Sequence, residues 1–101
     1  MPTKSYDEFL RRELREPEMA AEYLSAALEE GSVAQFLLAL RNVAEAHGGV
    51  GVLSNITELN RQSLYKTMSE RGNPTLSSLL AILHAIGIDV TFRPIRSVVA
   101  G

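Results

Sequence analysis

The chain has 101 residues, of which 46% are hydrophobic and none is cysteine, and its formal net charge is -2. This composition predicts one small folded domain and excludes disulfide bridges and thiolate chemistry. No apolar run approaches the roughly 20 residues that span a bilayer, and the first residues lack the apolar core of a signal peptide. We therefore expect a cytoplasmic protein with no membrane partner.

Charge is distributed unevenly along the chain. Residues 1–48 contain nine acidic and five basic side chains, whereas residues 49–101 contain three acidic and five basic ones. Such a split is compatible with two partners of opposite charge. Ordinary scatter of charge over the surface of a small protein explains it equally well.

The first third of the chain predicts two helices. Residues 7–15 form a short amphipathic segment. Pro17 fits the first turn of a second helix over residues 18–29, because the missing N–H of proline costs nothing there. Gly31 ends that helix. We assign residues 1–31 to an N-terminal helical extension.

The strongest helical pattern in the chain covers residues 33–46. Its apolar residues recur at helical spacing, and they are Val33, Phe36, Leu37, Leu40, Val43 and Ala44. Ser32 and Gln35 have the spacing of a capping box at the start of this helix. His47 and the two glycines that follow it end the helix.

Two short helices are expected next, separated by a tight turn. The first covers residues 50–57, and the second begins at Asn60 as its N-cap and continues to about residue 71. In a helix-turn-helix unit the first helix braces the second, which lies in the major groove of DNA. The bracing contacts are expected from Leu53, Ile56, Leu59, Leu64 and Met68.

The polar face of the second helix supplies the candidate DNA-binding residues. These are Asn60, Arg61, Gln62, Ser63, Tyr65 and Lys66. An arginine can pair with guanine and a glutamine with adenine, a serine can bond a base or a phosphate, and a lysine suits a phosphate. The asparagine is first a helix cap, and the tyrosine either reaches a phosphate or covers the helix crossing. The alternative is the exposed polar face of an ordinary helical bundle.

The C-terminal part of the chain predicts one more helix and a strand. Thr75 caps a helix over residues 76–86, with Leu76 among the residues that face inward. Residues 88–92 are β-branched and aromatic enough for a strand, which Pro94 ends. One strand cannot form a sheet alone, so it must pair with another chain or remain an extended tail.

Catalytic chemistry has few candidates in this sequence. His47 and His84 are the two residues that could act as imidazole bases, and the acidic residues show no spacing that demands a site. The glycines at 48, 49 and 51 follow a helix rather than a strand, so they do not form a phosphate-binding loop. We expect no enzymatic activity, no cofactor and no metal.

Five stretches of the sequence together carry a resemblance to a known family. They are residues 23–31, 36–46, 63–66, 72–75 (Gly-Asn-Pro-Thr) and 83–87. Residues 33–92 resemble the helix-turn-helix domain of the lambda-repressor-like (Xre) class. The whole chain is similar to the probable addiction-module antidote proteins, antitoxins related to the HigA group.

The chain departs from the Xre pattern at two positions. Ser54 lies at the helix crossing, where alanine is usual. Glu58 lies in the turn, where glycine is usual because the backbone there needs a positive φ. A residue other than glycine at positive φ costs about 1 kcal/mol.

The resemblance implies a fold and a set of partners. The fold is all-α, a lambda-repressor-like helix-turn-helix bundle of about five helices with the N-terminal helical extension and a short C-terminal strand. Residues 32–94 would form the DNA-binding domain and residues 95–101 a tail. Such antitoxins bind palindromic double-stranded operator DNA as homodimers, repress their own promoter and neutralise a toxin, often a RelE-like ribonuclease. A stand-alone Xre-type regulator and a protein-interaction helical module are the alternatives.

The surfaces for the toxin and for the second copy are less sharply indicated. The acidic segment 7–30 suits a basic ribonuclease, but its apolar residues could equally well pack on the rest of the domain. These apolar residues are Phe9, Leu14, Tyr23 and Leu24. The dimer contact is expected in the C-terminal part, either the helix 76–86 or the strand 88–92, because an unpaired strand invites a partner strand.

Overall fold

The computed structural model describes residues 3–95 of the chain. These residues form six helices, and no strand occurs among them. The helices are α1 (Thr3–Leu14), α2 (Pro17–Glu30), α3 (Val33–Ala46), α4 (Val50–Thr57), α5 (Arg61–Thr67) and α6 (Leu76–Ala85). The described part of the chain is therefore all-helical, as predicted, and none of its helices has the length and apolar character needed to cross a bilayer.

Side-chain caps set the starts of α3 and α6. The backbone N–H of Gln35 donates to Ser32 Oγ at 3.2 Å, and the backbone N–H of Ser32 donates to Gln35 Oε1 at 3.2 Å. The predicted capping box is thus confirmed. At α6 the backbone N–H of Ser78 donates to Thr75 Oγ1 at 3.1 Å. Each cap satisfies N–H groups that the helix itself leaves unpaired.

The ends of α1 and α5 differ most from the prediction. α1 begins at Thr3 rather than at residue 7, and α5 ends at Thr67 rather than near residue 71. At the end of α5 the hydroxyl of Ser69 donates to the carbonyl oxygen of Lys66 at 2.7 Å. Serine competes in this way with the backbone hydrogen bonds of a helix, which favours an early end.

One hydrophobic core extends through all six helices. α1 and α2 pack against α3, while α4 contacts α3, α5 and α6. The buried cluster includes Leu14, Leu24, Leu40, Val43, Leu53, Leu64, Met68, Ile82, Leu83 and Ile86. The leucines of α1 and α2 therefore belong to the same core as those of α3–α6. A separate role for residues 1–31 remains a prediction.

Three apolar residues that were predicted to face inward are exposed. Val33 is 64% exposed, Ile56 57% and Leu76 68%. Val33 and Leu76 are the first residues of α3 and α6, and Ile56 is in the last turn of α4. Helical periodicity assigns a residue to a face, but it does not indicate whether a neighbouring element reaches the end of that face.

The C-terminal strand predicted over residues 88–92 is not present in the described chain. The segment is tied to α6 by a hydrogen bond from the N–H of Ile88 to the carbonyl oxygen of Leu83, at 2.8 Å. It then runs without regular structure beside α2 and α3, where Val90 and Leu24 line the same groove. A strand is defined by ladder hydrogen bonds to a neighbour, and six helices offer none.

Candidate nucleic-acid interface

The candidate interface is built on α4 and α5, which pack together across the turn 58–60. The C-cap of α4 is Glu58, which has φ 65° and ψ 13° and so takes the left-handed conformation. The N–H of Glu58 donates to the carbonyl oxygen of half-buried Ser54 at 3.0 Å. The hydroxyl of Thr57 donates to Leu53 O at 2.7 Å and accepts from the N–H of Leu59 at 3.2 Å. The turn is therefore held by local hydrogen bonds.

Asn60 starts α5 as predicted. Its Oδ1 accepts a hydrogen bond from the backbone N–H of Ser63 at 2.7 Å. Leu53, Leu64 and Met68 are buried between the helices, and Leu59 is half-buried. Four of the five residues predicted to brace the helix pair are therefore buried or half-buried, whereas Ile56 is exposed.

All six predicted site residues are exposed on α5 or at its cap. They are Asn60, Arg61, Gln62, Ser63, Tyr65 and Lys66. Because Leu64 is fully buried, it fixes which side of this seven-residue helix faces the core. Gln62 and Lys66 are four residues apart and therefore neighbours on the outer surface. The structure thus leaves the polar groups of α5 accessible to a partner.

The guanidinium of Arg61 lies over the first turns of α4. A Cβ atom placed on Gly51 would be 3.0 Å from Nη2 of Arg61 and 3.4 Å from its Cζ. The absence of a side chain at Gly51 therefore leaves the room in which this guanidinium lies. Arg61 therefore carries its charge over the start of α4 while the residue stays exposed.

Arg41 joins this surface from α3, which sequence reasoning did not predict. Its Cζ lies 5.1 Å from the centroid of the Tyr65 ring, within the range of a cation–π contact. Arg41 is 24 residues from Tyr65 in the sequence, so no local spacing could have indicated the pair. Tyr65 therefore positions a third cationic group near α5 while staying exposed itself.

The electrostatics of this surface are cationic. Among residues 5–95, whose side chains are described, no carboxylate forms an ion pair with Arg41, Arg61 or Lys66. The acidic group in the turn is Glu58, which is exposed. Uncompensated guanidinium and ammonium groups beside amide and hydroxyl donors can bind phosphates and the base edges of a duplex.

The two histidines contact different partners. The His47 Nε2 atom is 3.1 Å from the carbonyl oxygen of Leu14, so it links α3 to α1. The His84 Nε2 atom is 3.6 Å from a carboxylate oxygen of Asp89. Within the described residues, no group of three or more histidines and acidic residues is placed to hold a metal ion.

Comparison with known proteins agrees with the antidote resemblance. No solved structure matches the chain significantly. An uncharacterized protein of Haemophilus influenzae is 27% identical over 74 residues, which are 73% of this chain and 75% of that protein. The model of a family described as probable addiction module antidote protein matches residues 4–94. The chain belongs to this family of probable addiction module antidote proteins.

Proposed function

We propose that the chain is the antitoxin of a type II toxin–antitoxin module, of the HigA-related Xre class. In this proposal it acts in the cytoplasm, binds its own operator as a homodimer through α5, and neutralises a cognate toxin. The observation that carries the DNA-binding part is the exposed donor surface of α5, held on a helix pair whose other side is buried. Family membership supports the antitoxin role in general.

Each residue of the α5 surface has a role in this proposal. Arg61 and Gln62 read base edges, because both can form paired hydrogen bonds to a purine. Lys66 and the added Arg41 bind phosphates, which fix the position of α5 on the duplex. Tyr65 holds Arg41 in place through the contact of its ring with the guanidinium. Asn60 acts as the cap that sets where the helix begins.

The small size of this reading surface supports the homodimer of the proposal. One copy presents a single α5 of seven residues and few cationic groups. Two copies related by a two-fold axis double the phosphate contacts and read two half-sites, about 34 Å apart along the duplex. The palindromic operator of the proposal has this symmetry.

The DNA-binding proposal is tested by the variant Arg61→Ala with Gln62→Ala. We expect it to lose preference for the duplex upstream of its own reading frame over a scrambled duplex, by about tenfold or more for two lost base contacts. A gel shift at fixed salt, with both duplexes, measures this preference. Both side chains are exposed, so folding should be unaffected.

Arg12→Ala provides the matched control, because it removes one exposed positive charge from α1 instead. It should keep the wild-type preference. Equal selectivity in the α5 variant and this control would refute the α5 site.

Wild-type binding should weaken steeply as salt rises, since phosphate contacts release counterions. A complete absence of DNA binding would favour the protein-interaction alternative.

The toxin-binding part of the proposal places the contact on α2. α2 carries four exposed acidic residues, Glu18, Glu22, Glu29 and Glu30, and no basic residue. A RelE-like ribonuclease needs a cationic site for RNA, so an acidic helix can cover that site. The apolar residues of the N-terminal segment were expected either to pack on the rest of the domain or to contact the toxin. Leu14 and Leu24 are buried in the core, whereas Phe9 is 52% exposed and so accessible to a toxin.

Charge reversal on α2 tests the toxin contact without disturbing the core. Glu18→Lys with Glu22→Lys should weaken binding to the product of the neighbouring reading frame by about tenfold or more, because like charges then face each other. Calorimetric titration measures the affinity. Glu58→Lys with Glu70→Lys is the control, with the same charge change at exposed positions outside α2. Equal losses in the two variants would count against α2.

A further inference from the structure

We infer that two copies of the chain pair through residues 88–94 as antiparallel strands, with Thr91 of each copy on the two-fold axis. This inference rests on the homodimer of the proposed function and specifies its contact and register. The binding partner of the exposed C-terminal segment is therefore the same segment of a second copy.

The segment has the pattern of a strand, but no other strand lies within residues 3–95 to pair with it. Ile88, Val90 and Phe92 alternate with Asp89, Thr91 and Arg93, as on the two faces of a strand. Phe92 is 94% exposed, although a buried phenylalanine ring contributes strongly to an interface. Exposed main-chain groups beside such residues are a template for another strand.

The charges of the segment select one register. Asp89 and Arg93 each lie two residues from Thr91, on the same face. An antiparallel pair centred on Thr91 therefore places Asp89 of each copy opposite Arg93 of the other, twice over. Centring the pair on Asp89 or Arg93 would place like charges opposite each other, which is destabilising. Centring it on residue 90 or 92 would not place Asp89 of one copy opposite Arg93 of the other.

Both charged groups of this pair are accessible. The Asp89 side chain is 85% exposed, and one of its carboxylate oxygens lies 3.6 Å from His84 Nε2. The Arg93 residue is also exposed. Neither group has to leave the core to meet a second copy.

The main-chain groups agree with the same register. If the two Thr91 residues form a hydrogen-bonded pair, the N–H groups of residues 89, 91 and 93 point to the second copy and those of 90, 92 and 94 point away. Pro94 has no N–H, so its place in the outward set costs nothing. The N–H of Val90, also outward, already donates to Asp89 Oδ1 at 2.9 Å.

Apolar contacts add to the pairing. In this register Val90 of one copy faces Phe92 of the other, and pairs of β-branched and aromatic residues stabilise antiparallel strands. A two-stranded ribbon alone is marginal in water. Beside the segment, however, lies a groove of about 780 Å³ that is lined in part by Leu28, Val33 and Phe36. This apolar surface can contribute further burial when two copies meet.

A disulfide trap tests the two-fold axis directly, because the native chain has no cysteine. Residues of a hydrogen-bonded antiparallel pair have Cα atoms about 5.5 Å apart, within reach of a disulfide. Thr91→Cys should therefore form a covalent dimer on mild oxidation. Ile95→Cys is the control, since Ile95 is an exposed residue directly after the segment and, in this register, lies far from its counterpart in the second copy. Equal cross-linking at both positions would overturn the register.

Charge exchange tests the ion pairs. Asp89→Arg alone and Arg93→Asp alone should each weaken dimerisation by about tenfold, and the double exchange should restore it. Sedimentation equilibrium of the full chain measures the dimer constant. A wild-type dimer that is insensitive to all three variants would overturn the inference.

The outcomes distinguish this inference from the proposed function. If the chain is a dimer that binds the operator selectively but fails both the disulfide and the charge-exchange tests, the proposed function stands and the dimer contact lies elsewhere in the chain. A wild-type chain that stays monomeric, and loses toxin binding when Asp89 or Arg93 is reversed, would assign the segment to the toxin and overturn the pairing. A monomer that binds neither duplex selectively would contradict both.

Discussion

Glu58 takes a backbone conformation that its side chain disfavours. At φ 65° its Cβ crowds the following carbonyl, and this is the left-handed position that the turn was predicted to contain. It is the one residue other than glycine with positive φ among residues 3–95. The buried contacts of α4 with α5 and α6 hold the chain in this conformation despite the local cost.

Replacing Glu58 by glycine should stabilise the fold. Removing the Cβ relieves a cost of about 1 kcal/mol, partly offset by the extra freedom that glycine gives the unfolded chain. We expect a net gain of up to about 0.5 kcal/mol, or a few degrees in Tm. Thermal unfolding followed by circular dichroism measures it.

Glu58→Ala separates conformation from charge in this experiment. Alanine removes the carboxylate but keeps the Cβ, so it should not share the gain. An equal rise in Tm for the alanine and glycine variants would mean that charge, not backbone strain, limits stability at this residue.

The contact between Arg41 and Tyr65 shows what the sequence could not reveal at the residue level. The exposed polar face of α5 was predictable because its residues lie within one short stretch of sequence that starts at a recognisable cap, Asn60. Arg41 reaches the same surface through the packing of α3 on α4, which no local pattern encodes. The path of the Arg61 side chain over Gly51 likewise depends on how α4 and α5 cross.

At the level of elements, local chemistry predicted most of the helices. The caps at Ser32, Asn60 and Thr75 mark helix starts by hydrogen bonds that each segment makes within itself. The segment 88–92 forms no strand within the described chain for the opposite reason, since strand hydrogen bonds need a neighbour that the helices do not supply. Burial at helix ends, as at Leu76, also depends on neighbours, and periodicity misjudged it.

α5 has seven residues, which is short for the proposed DNA-recognition element. An isolated helix of this length is unstable in water, so its order comes from its contact with α4 and from the burial of Leu64 and Met68. The rigidity of the proposed DNA-binding surface therefore comes from its packing on the core. Substitutions on its outer side can change recognition while leaving that core intact.

At the scale of the whole molecule, the N-terminal helices are part of the fold. Leu14 and Leu24 are 2% and 4% exposed and belong to the cluster that also contains Leu40 of α3. Deleting residues 1–30 would therefore open the core as well as remove the proposed toxin surface. Surface substitutions such as those at Glu18 and Glu22 separate these two effects.

In the proposal, three functions lie on three separate surfaces of one folded domain. The α5 side carries cations for DNA, α2 carries acids for a toxin, and the segment 88–94 carries the self-complementary pair Asp89 and Arg93. Because the surfaces do not share residues, the variants designed for one surface serve as controls for the others.

The most direct test of the central claim is a map of backbone amide resonances during titration with the upstream operator duplex. We expect the largest shifts at residues 60–66, with a further response at Arg41, and little change over α2. The salt dependence of the shifts should follow that of binding. Unchanged resonances at 60–66, with the duplex bound through another surface, would contradict the assignment of α5 as the element that recognises DNA.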